Sequence, residues 1–247
     1  MDVNIKEKVI VITGSSRGLG AQMAYRFAKE GAFVVINYHH SKEVAEKLFA
    51  KISEFNSNCM CICCDVTDQE QIKHMKREII KKYGRVDVLI NNAGICSDNL
   101  CLVMPYEQWR SVLKTNLDST YLCSKHFGKE MYRIKKGKII NIASFKGQAG
   151  SEGQCNYAAS KAAVIGFTKT LAKEMGEYNV SVNAICPGYI KTDLNSKSIK
   201  KNQAAKQMSV MPIDGCLDDL LNFLIFMISD NLLSVSGRVF NLDSRVK

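Results

Sequence analysis

The chain has 247 residues, of which 46% are hydrophobic, and its net charge is +10. This length and apolar fraction are sufficient for one large α/β domain with a sizeable core. No run approaches the roughly 20 apolar residues of a membrane span, so we expect no contact with a membrane. The charged N-terminal residues lead directly into a predicted strand, so we expect no signal peptide. The basic residues form no long tail and do not alternate with aromatic residues, which argues against nucleic-acid binding.

The ten cysteines, without a secretory signal, indicate a reducing cytoplasm rather than a disulfide framework. Four of them cluster at Cys59, Cys61, Cys63 and Cys64. A metal site is one interpretation, but the segment alternates like a strand, lacks paired C-x-x-C spacing and has no nearby histidine. We therefore expect buried thiols that behave as small hydrophobic side chains, and no metal.

The first predicted strand, at 8–12, runs into a glycine-rich loop at 13–20 and then into a helix that ends near Gly31. Glycines between a strand and a helix permit a tight turn and bring backbone N–H groups close to a phosphate. A glycine motif alone is weak evidence, but here it has the strand–loop–helix context of a nucleotide-binding site. The loop therefore predicts a site for a pyrophosphate.

The second predicted strand, at 33–38, ends without an acidic residue. An acid there would hydrogen-bond the adenosine 2′-hydroxyl of NAD and repel a 2′-phosphate. Instead Asn37, Tyr38 and His39 follow one another, and Arg17 lies in the glycine loop. This combination favours NADP over NAD, although an ordinary polar loop would have the same composition.

The middle of the chain continues the alternation of helices and strands. We predict a helix at 42–54, the cysteine strand at 59–64, a helix from Thr67 or Asp68 to Tyr83, and a strand at 86–90. The turn at 91–94, Asn-Asn-Ala-Gly, leaves room for a ligand. A long helical region is predicted from Pro105 through 131. Asn116 lies in its middle, either at the surface or buried with a hydrogen-bonding partner.

The last third adds strands at 138–143, 180–186 and 238–242 and helices from 157 and at 217–228. The polar, lysine-rich segment at 189–212 is predicted to be a mobile substrate loop. Strands and helices alternate without a linker or an internal repeat. The sequence therefore predicts a single α/β domain over 1–247, a Rossmann-type doubly wound parallel sheet of about seven strands with helices on both faces.

Three residues near the end of the predicted strand at 138–143 suggest chemistry. Ser144 follows the strand, where open α/β sheets bind ligands, and Tyr157 and Lys161 share one face of the next helix. A phenol has a pKa near 10, and a nearby ammonium would lower it toward working pH. A serine hydroxyl could bind a substrate oxygen on which negative charge develops. The three residues suggest proton transfer for a carbonyl/alcohol pair, although Tyr-x-x-x-Lys alone is a common pattern.

Together these motifs resemble the short-chain dehydrogenase/reductase family over essentially the whole chain. The motifs are Thr13-Gly14-x-x-x-Gly18-x-Gly20, Asp65-Val66, Asn91-Asn92-Ala93-Gly94, Asn116, Ser144, Tyr157-x-x-x-Lys161 and Pro187-Gly188-x-x-x-Thr192.

The resemblance implies roles for these residues. Tyr157 would be the general acid in reduction, Lys161 would lower its pKa and hold the nicotinamide ribose, and Ser144 would polarise the carbonyl. Asn116 would hold a water of a proton relay to Lys161. The remaining expected contacts, all with the cofactor, are Gly14, Ser16, Arg17, Gly18 and Leu19 at the pyrophosphate and adenosine side; Asn37, Tyr38 and His39 after the second strand; Asp65 and Val66 at the adenine; Asn92, Ala93 and Gly94 at the adenosine ribose side; and Pro187, Gly188, Ile190 and Thr192 at the nicotinamide.

Within the family, the segment from Gly150 to Ala162 is similar to that of 3-oxoacyl-[acyl-carrier-protein] reductases. The resemblance implies NADPH-dependent reduction of a 3-oxoacyl thioester, bound to acyl carrier protein or CoA, in fatty-acid or polyketide-like biosynthesis. It also implies a cytoplasmic homodimer or homotetramer. Two alternatives stay open: an NADP-dependent enzyme acting on a small alcohol, sugar or sterol, and a non-catalytic binding subunit.

The C-terminal part departs from the pattern of these reductases. The segment after Pro212 reads Ile213-Asp214-Gly215-Cys216, and the usual terminal Val-Asp-Gly-Gly is replaced by Leu242-Asp243-Ser244-Arg245. In the family this end packs near the substrate cleft and at subunit interfaces. The departure therefore bears on the substrate and on the tetramer rather than on the chemistry.

Overall fold

A computed structural model describes residues 3–190 and 199–245 of the chain. Its strands form one parallel seven-stranded sheet in the order 3-2-1-4-5-6-7. The strands are β1 (Val9–Ile12), β2 (Phe33–Tyr38), β3 (Met60–Cys63), β4 (Val88–Asn91), β5 (Gly137–Ile142), β6 (Val180–Pro187) and β7 (Val239–Leu242). The predicted fold class is confirmed.

Helices cover both faces of the sheet. They are α1 (Gly18–Lys29), α2 (Lys42–Ser53), α3 (Gln69–Tyr83), α4 (Tyr106–Leu113), α5 (Ser119–Ile134), α6 (Lys146–Ala149), α7 (Cys155–Met175), α8 (Ile199–Met208) and α9 (Cys216–Ile228). None of the described helices is both long enough and apolar enough to cross a membrane.

The two faces of the sheet explain why its central strands are apolar throughout. In β1, Ile10 and Ile12 face a core built with α1, α2 and α9, whereas Val9 and Val11 face a core built with α3, α5 and α7. Both faces of β1 are therefore covered by the protein core, so its residues do not alternate between apolar and polar. The buried apolar area of two such cores supplies most of the driving force for folding.

The predicted ends of α3 are confirmed by its hydrogen bonds. The Asp68 carboxylate accepts from the backbone N–H groups of Glu70 and Gln71, which satisfies donors that have no partner inside the helix. At the other end Gly84 adopts φ 75°, a left-handed conformation that favours glycine.

The predicted long helical region after Pro105 is continuous from Tyr106 to Ile134, but it contains a π-helical turn that was not predicted. The helix α4 ends at Leu113, a π-helical turn spans Lys114–Asp118, and α5 begins at Ser119. A π turn holds one extra residue and changes which side chains face the core. The short helix α6 was also not predicted, because four residues carry too little periodicity to reveal it.

The order of the strands decides where a ligand binds. The chain leaves β1 toward β2 on one side, and β4 returns to pair with β1 on the other. A crevice opens at such a switch point, beyond the carboxyl ends of the strands. The loops after β1, β4, β5 and β6 meet there, and they carry the residues singled out above.

Candidate active site

The loop after β1 packs tightly against the turn after β4. Gly14 has φ 61°, and a Cβ atom built on it would lie 2.9 Å from the Cα of Ala93. The Thr13 hydroxyl accepts hydrogen bonds of 3.0 Å from the N–H groups of Asn92 and Ala93. The Asn92 side chain donates in return to the carbonyls of Thr13 and Gly14. Asn92 and Ala93 therefore fix the shape of the glycine loop.

The packing around Gly20, in the first turn of α1, leaves no room for a side chain. Its hypothetical Cβ would lie 2.6 Å from the carbonyl oxygen of Gly14 and 2.7 Å from the Asn92 amide nitrogen. Gly20→Ala is expected to lower the free energy of unfolding by about 2 kcal/mol or more, because backbone must move. Gly166→Ala is the matched control, since no atom lies within 4 Å of its hypothetical Cβ. That helical change should be neutral or stabilising by up to about 1 kcal/mol. Urea unfolding of both variants measures the difference, and equal stability would contradict the prediction.

The buried Asn37 side chain stabilises the glycine loop through hydrogen bonds. It is 1% exposed, its side-chain oxygen accepts from the Gly14 N–H at 2.9 Å, and its amide donates to the Cys64 carbonyl at 3.0 Å. The side chain was expected to contact the cofactor, but these bonds use both of its ends. Asn37 thereby joins the ends of β2 and β3 to the loop.

The start of α1 fits a phosphate group. Arg17 is the N-cap in an extended conformation, and no side chain caps this end among the described residues. The N–H groups of a first helical turn have no partner inside the helix and carry the positive end of its dipole. Ser16 is buried, Arg17 is exposed, and Gly18 and Leu19 are partly exposed. This end of the helix can therefore take the pyrophosphate of a dinucleotide.

A second group of residues lies at the ends of β2 and β3. His39 Nδ1 is 3.9 Å from an oxygen of Asp65, and the rings of His39 and His40 are 3.6 Å apart. Burial acts to raise the pKa of Asp65, but hydrogen bonds from Thr67 and the neighbouring positive charges outweigh it, so the pKa is lowered. Tyr38 is partly exposed beside them, and Val66 is buried in the core.

Asn116 lies in the π turn and is fully buried. Its side-chain oxygen accepts from the Ile95 N–H at 2.8 Å, and its amide donates to the Ile95 carbonyl at 3.0 Å and the Ser160 hydroxyl at 3.1 Å. Of the two environments considered for Asn116, the surface one is excluded. The π turn directs this amide at the loop that follows Gly94 and at α7.

Ser144, Tyr157 and Lys161 come together at the carboxyl end of β5. The Ser144 hydroxyl lies beside the Tyr157 phenol, where it acts to lower the pKa of the phenol. Lys161 is 4% exposed, its Nζ donates to the Ile142 carbonyl at 2.6 Å, and it lies 5.8 Å from the centre of the Tyr157 ring. A hypothetical Cβ on Gly94 would lie 3.2 Å from Asn116 Oδ1 and 3.7 Å from Lys161 Nζ, so a side chain there would crowd the site.

The pKa of Tyr157 shifts in the direction opposite to the one expected. Burial raises the pKa of the phenol, the neighbouring Cys96 adds to that effect, and the neighbouring Ser144 hydroxyl only partly offsets it. Burial also lowers the pKa of Lys161 to about 8. The predicted lowering by the lysine is outweighed because both groups are desolvated together. Tyr157 is therefore a neutral phenol near neutral pH, the form that donates a proton.

The residues at the end of β6 border the remaining side of the candidate active site. A Cβ on Gly188 would lie 2.5 Å from the Leu242 carbonyl oxygen, so glycine allows β7 to approach. Pro187 ends the strand, and the partly buried Ile190 packs against the core on the α9 side. Thr192 and the segment 191–198 lie outside the described residues, while 199–208 of the predicted substrate loop is the helix α8.

Sequence reasoning missed three residues that hold the site in place. The Asn156 amide donates to the Ser97 carbonyl at 2.9 Å, and its oxygen accepts from the Tyr157 N–H. Ser160 donates to the Tyr157 carbonyl at 2.7 Å while it accepts from Asn116. A Cβ on Gly147 would lie 2.8 Å from the Lys161 carbonyl carbon. A polar side chain on an otherwise apolar helix was a usable signal for Asn156 and Ser160; Gly147 gave none.

The divergent C-terminus folds back beside Ser144. Arg245 pairs with the carboxylate of Asp243, whose side chain is 3% exposed. The Arg245 guanidinium lies 5.7 Å from the ring centre of Phe145 and 6.0 Å from that of Tyr189. The residues that depart from the reductase pattern thus border the substrate side of the site.

The cysteine segment is only partly as expected. Cys59 and Cys64 are buried and Cys61 is partly buried, but Cys63 is exposed at the edge of the sheet. Burial raises the pKa of Cys61 to about 11 and that of Cys64 to about 12, so both remain protonated thiols. Within 3–190 and 199–245, no group of three or more histidine, cysteine or acidic side chains has metal-site geometry.

Comparisons with known proteins agree with this geometry. A profile of the family described as short chain dehydrogenase matches residues 8–203. The 3-oxoacyl-[acyl-carrier-protein] reductase of Synechocystis sp. is 36% identical over 239 residues, which cover 96% of this chain and 95% of that protein. The reductase of the same description from Staphylococcus aureus (strain N315), FabG, is 35% identical over 238 residues, covering 96% of each chain.

Two solved structures are similar over nearly the whole chain. A dehydrogenase/reductase from Sinorhizobium meliloti 1021 superposes with a TM-score of 0.91 at 27% identity, covering 98% of this chain and 96% of that one. The crystal structure of gox2181 gives a TM-score of 0.92 at 26% identity with the same coverage. The chain belongs to the short-chain dehydrogenase family, and it is an oxidoreductase of the kind that uses a nicotinamide cofactor.

Proposed function

We propose that this protein reduces a 3-oxoacyl thioester to the 3-hydroxyacyl thioester with NADPH, in fatty-acid or related biosynthesis. The observation that carries the chemistry is the neutral Tyr157 phenol, which lies next to Ser144 and 5.8 Å from the buried Lys161 ammonium. The substrate class is supported by the reductases named above, which are similar over nearly the full length of both chains.

The bound cofactor would supply the hydride. Ser144 would donate a hydrogen bond to the substrate carbonyl oxygen and polarise it. Tyr157 would donate its proton to the same oxygen as negative charge develops there, acting as a general acid. Lys161 would stabilise the resulting phenolate and bind the ribose, and Asn116 would position the loop at Ile95 and connect it to α7 through Ser160.

The cofactor would lie across the switch point, in contact with the residues that the glycine loop and its neighbours present. Its pyrophosphate would lie at Ser16, Gly18 and Leu19 and its adenosine near Tyr38, His39 and Asp65. The adenine and its ribose would be surrounded by Val66, Asn92, Ala93 and Gly94. Asn37 and Gly14 would keep the glycine loop in shape. Pro187, Gly188, Ile190 and Thr192 would lie on the nicotinamide side.

NADPH is preferred to NADH in this proposal because no acid ends β2 and Arg17 is exposed at the start of α1. Arg17→Ala is expected to weaken NADPH binding by about ten- to hundredfold, the cost of one charged hydrogen bond, and to leave NADH binding nearly unchanged. Arg26→Ala is the matched control, since Arg26 is on the same helix but pairs with Glu30 and Asn222. Fluorescence titration measures both affinities. An equal loss of affinity for NADPH and NADH would show that Arg17 does not recognise the 2′-phosphate.

The proposed partners follow from the substrate. An acyl carrier protein is acidic, and a chain with a net charge of +10 would attract it.

We also propose a cytoplasmic homodimer or homotetramer, as expected from the family. Light scattering tests the assembly, and a monomer would contradict it.

The substrate is tested by following NADPH oxidation with acetoacetyl-CoA, beside NADH and a panel of ketones and aldehydes without a thioester. Turnover of the thioester with NADPH is the expected result. Activity on other carbonyls alone would support the proposed proton transfer but reject the 3-oxoacyl thioester as the substrate class. NADPH binding without turnover of any compound would point to a binding subunit.

A further inference from the structure

The segment of residues 97–104, called here the entry segment, runs alongside the start of α7. The Asn99 N–H donates to the Gly153 carbonyl at 2.8 Å. The Gln154 amide donates to the Asp98 carboxylate at 2.6 Å, and the Asn156 amide donates to the Ser97 carbonyl at 2.9 Å. Three hydrogen bonds in succession hold these two stretches of chain in a fixed register.

This register brings two thiols near each other. Cys101 lies in the entry segment, and its thiol is close enough to Cys155, the first residue of α7, to raise the pKa of Cys155. The Cys101 carbonyl accepts a hydrogen bond of 3.4 Å from the N–H of Met104. The Cys155 sulfur is also 3.8 Å from the sulfur of Met104. Cys101 is exposed and Cys155 is partly buried, so an oxidant in solution meets Cys101 first. Neither thiol has a role in the proposed reduction.

We propose that Cys101 and Cys155 form a reversible disulfide that lowers the activity of the enzyme. A hydroperoxide is the oxidant. The Cys101 thiolate attacks one peroxide oxygen, the O–O bond breaks, and one water and a sulfenic acid result. The Cys155 sulfur then attacks the Cys101 sulfur, an S–S bond forms, and the second water leaves. Overall two thiols and one hydrogen peroxide give one disulfide and two waters.

The order of these steps follows from the surroundings of the two thiols. Burial and the neighbouring Cys101 thiol raise the pKa of Cys155, which keeps it protonated and less suited to attack the peroxide. Its position close to Cys101 makes it suited to the second step. Cys96 is a third thiol near the site, where it acts on the pKa of both Tyr157 and Lys161.

The bond would affect catalysis because Cys155 lies two residues before Tyr157 in the first turn of α7. The two sulfurs of a disulfide are only about 2 Å apart, closer than the sulfurs of two separate thiols, so the entry segment and this turn must move toward each other. A shift of about 1 Å in a catalytic group can cost on the order of a hundredfold in rate. Oxidation is therefore expected to lower turnover at least tenfold, and a thiol reductant should restore it.

The test is to treat the full-length protein with hydrogen peroxide, remove the peroxide, and divide the sample. One part is digested without reduction and searched by mass spectrometry for a peptide linking Cys101 to Cys155. The other part is assayed before and after dithiothreitol. The linked peptide, a loss of turnover and its recovery are the expected result. The peptide is read without any substrate, so its detection does not depend on the proposed function.

Variants make the assignment specific. Cys101→Ser and Cys155→Ser should each keep their own untreated activity after peroxide, because neither can form the bond. Cys63→Ser is the matched control, an exposed cysteine elsewhere whose removal should leave the sensitivity of the wild type. Absence of the linked peptide, a link to Cys96 instead, or equal inactivation of Cys101→Ser and the wild type would overturn the proposal. So would a linked peptide with undiminished turnover.

Discussion

Tyr157→Phe is expected to lower turnover by about two to four orders of magnitude, the usual contribution of a general acid. The change removes one oxygen and keeps the ring, so the packing of the half-buried side chain is preserved. Ser144 loses a polar neighbour, which water or substrate can replace. Cofactor affinity should change less than about threefold, because the phenol is proposed to act on the substrate oxygen.

The measurements are kcat with the best substrate of the panel and a direct titration of NADPH binding. Tyr106→Phe is the matched control, since Tyr106 is 68% exposed at the start of α4 and has no proposed role. It should retain the wild-type rate. A Tyr157→Phe enzyme with more than about a tenth of the wild-type kcat would reject Tyr157 as the proton donor.

Lys161→Met is expected to lower kcat by about a hundredfold or more and to weaken NADPH binding. Methionine has a similar length and is apolar, so it suits a position that is 4% exposed. It removes the ammonium that would stabilise the developing phenolate and hold the ribose. It also leaves the Ile142 carbonyl without the hydrogen bond that Lys161 donates at 2.6 Å.

The same variant tests the ionisation of Lys161. Its pKa is about 8 in the folded protein, and about 10.4 for lysine in an unfolded chain. Below about pH 8 the lysine is charged in both the folded and the unfolded state, so it does not make the free energy of unfolding depend on pH. Between about pH 8 and 10 the unfolded state binds more protons, so this group makes the folded state more stable as the pH rises.

The stability of the wild type relative to Lys161→Met should therefore increase between about pH 7.5 and pH 9.5. Urea unfolding at both pH values measures it, and the difference between the two proteins cancels the other titrating groups. Lys169→Met, on an exposed part of the same helix, is the control and should give a difference that does not change with pH. A flat difference for Lys161→Met would show that Lys161 keeps an ordinary pKa.

The fold could be predicted from the sequence because each strand and most helices carry their own signal. The apolar runs of β1, β4 and β5 read as buried strands, and Asp68 and Gly84 marked the ends of α3. The π turn within the long helical region after Pro105 could not be predicted, because it leaves the apolar pattern continuous. Asn116 in that turn is hydrogen-bonded to Ile95 and to Ser160 of α7, contacts that no local pattern reveals.

The sequence by itself determined the fold class, the order of the motifs and the residue types available for chemistry, because these depend on local propensity and on spacing along one strand or helix. The tertiary structure decided which environment each residue has. Asn37 was expected at the cofactor and is a buried support, and Tyr157 was expected to have a lowered pKa and has a raised one. Burial and hydrogen bonding join residues far apart in the chain, such as Asn116 with Ser160 and Asn156 with Ser97, and no local pattern specifies those contacts.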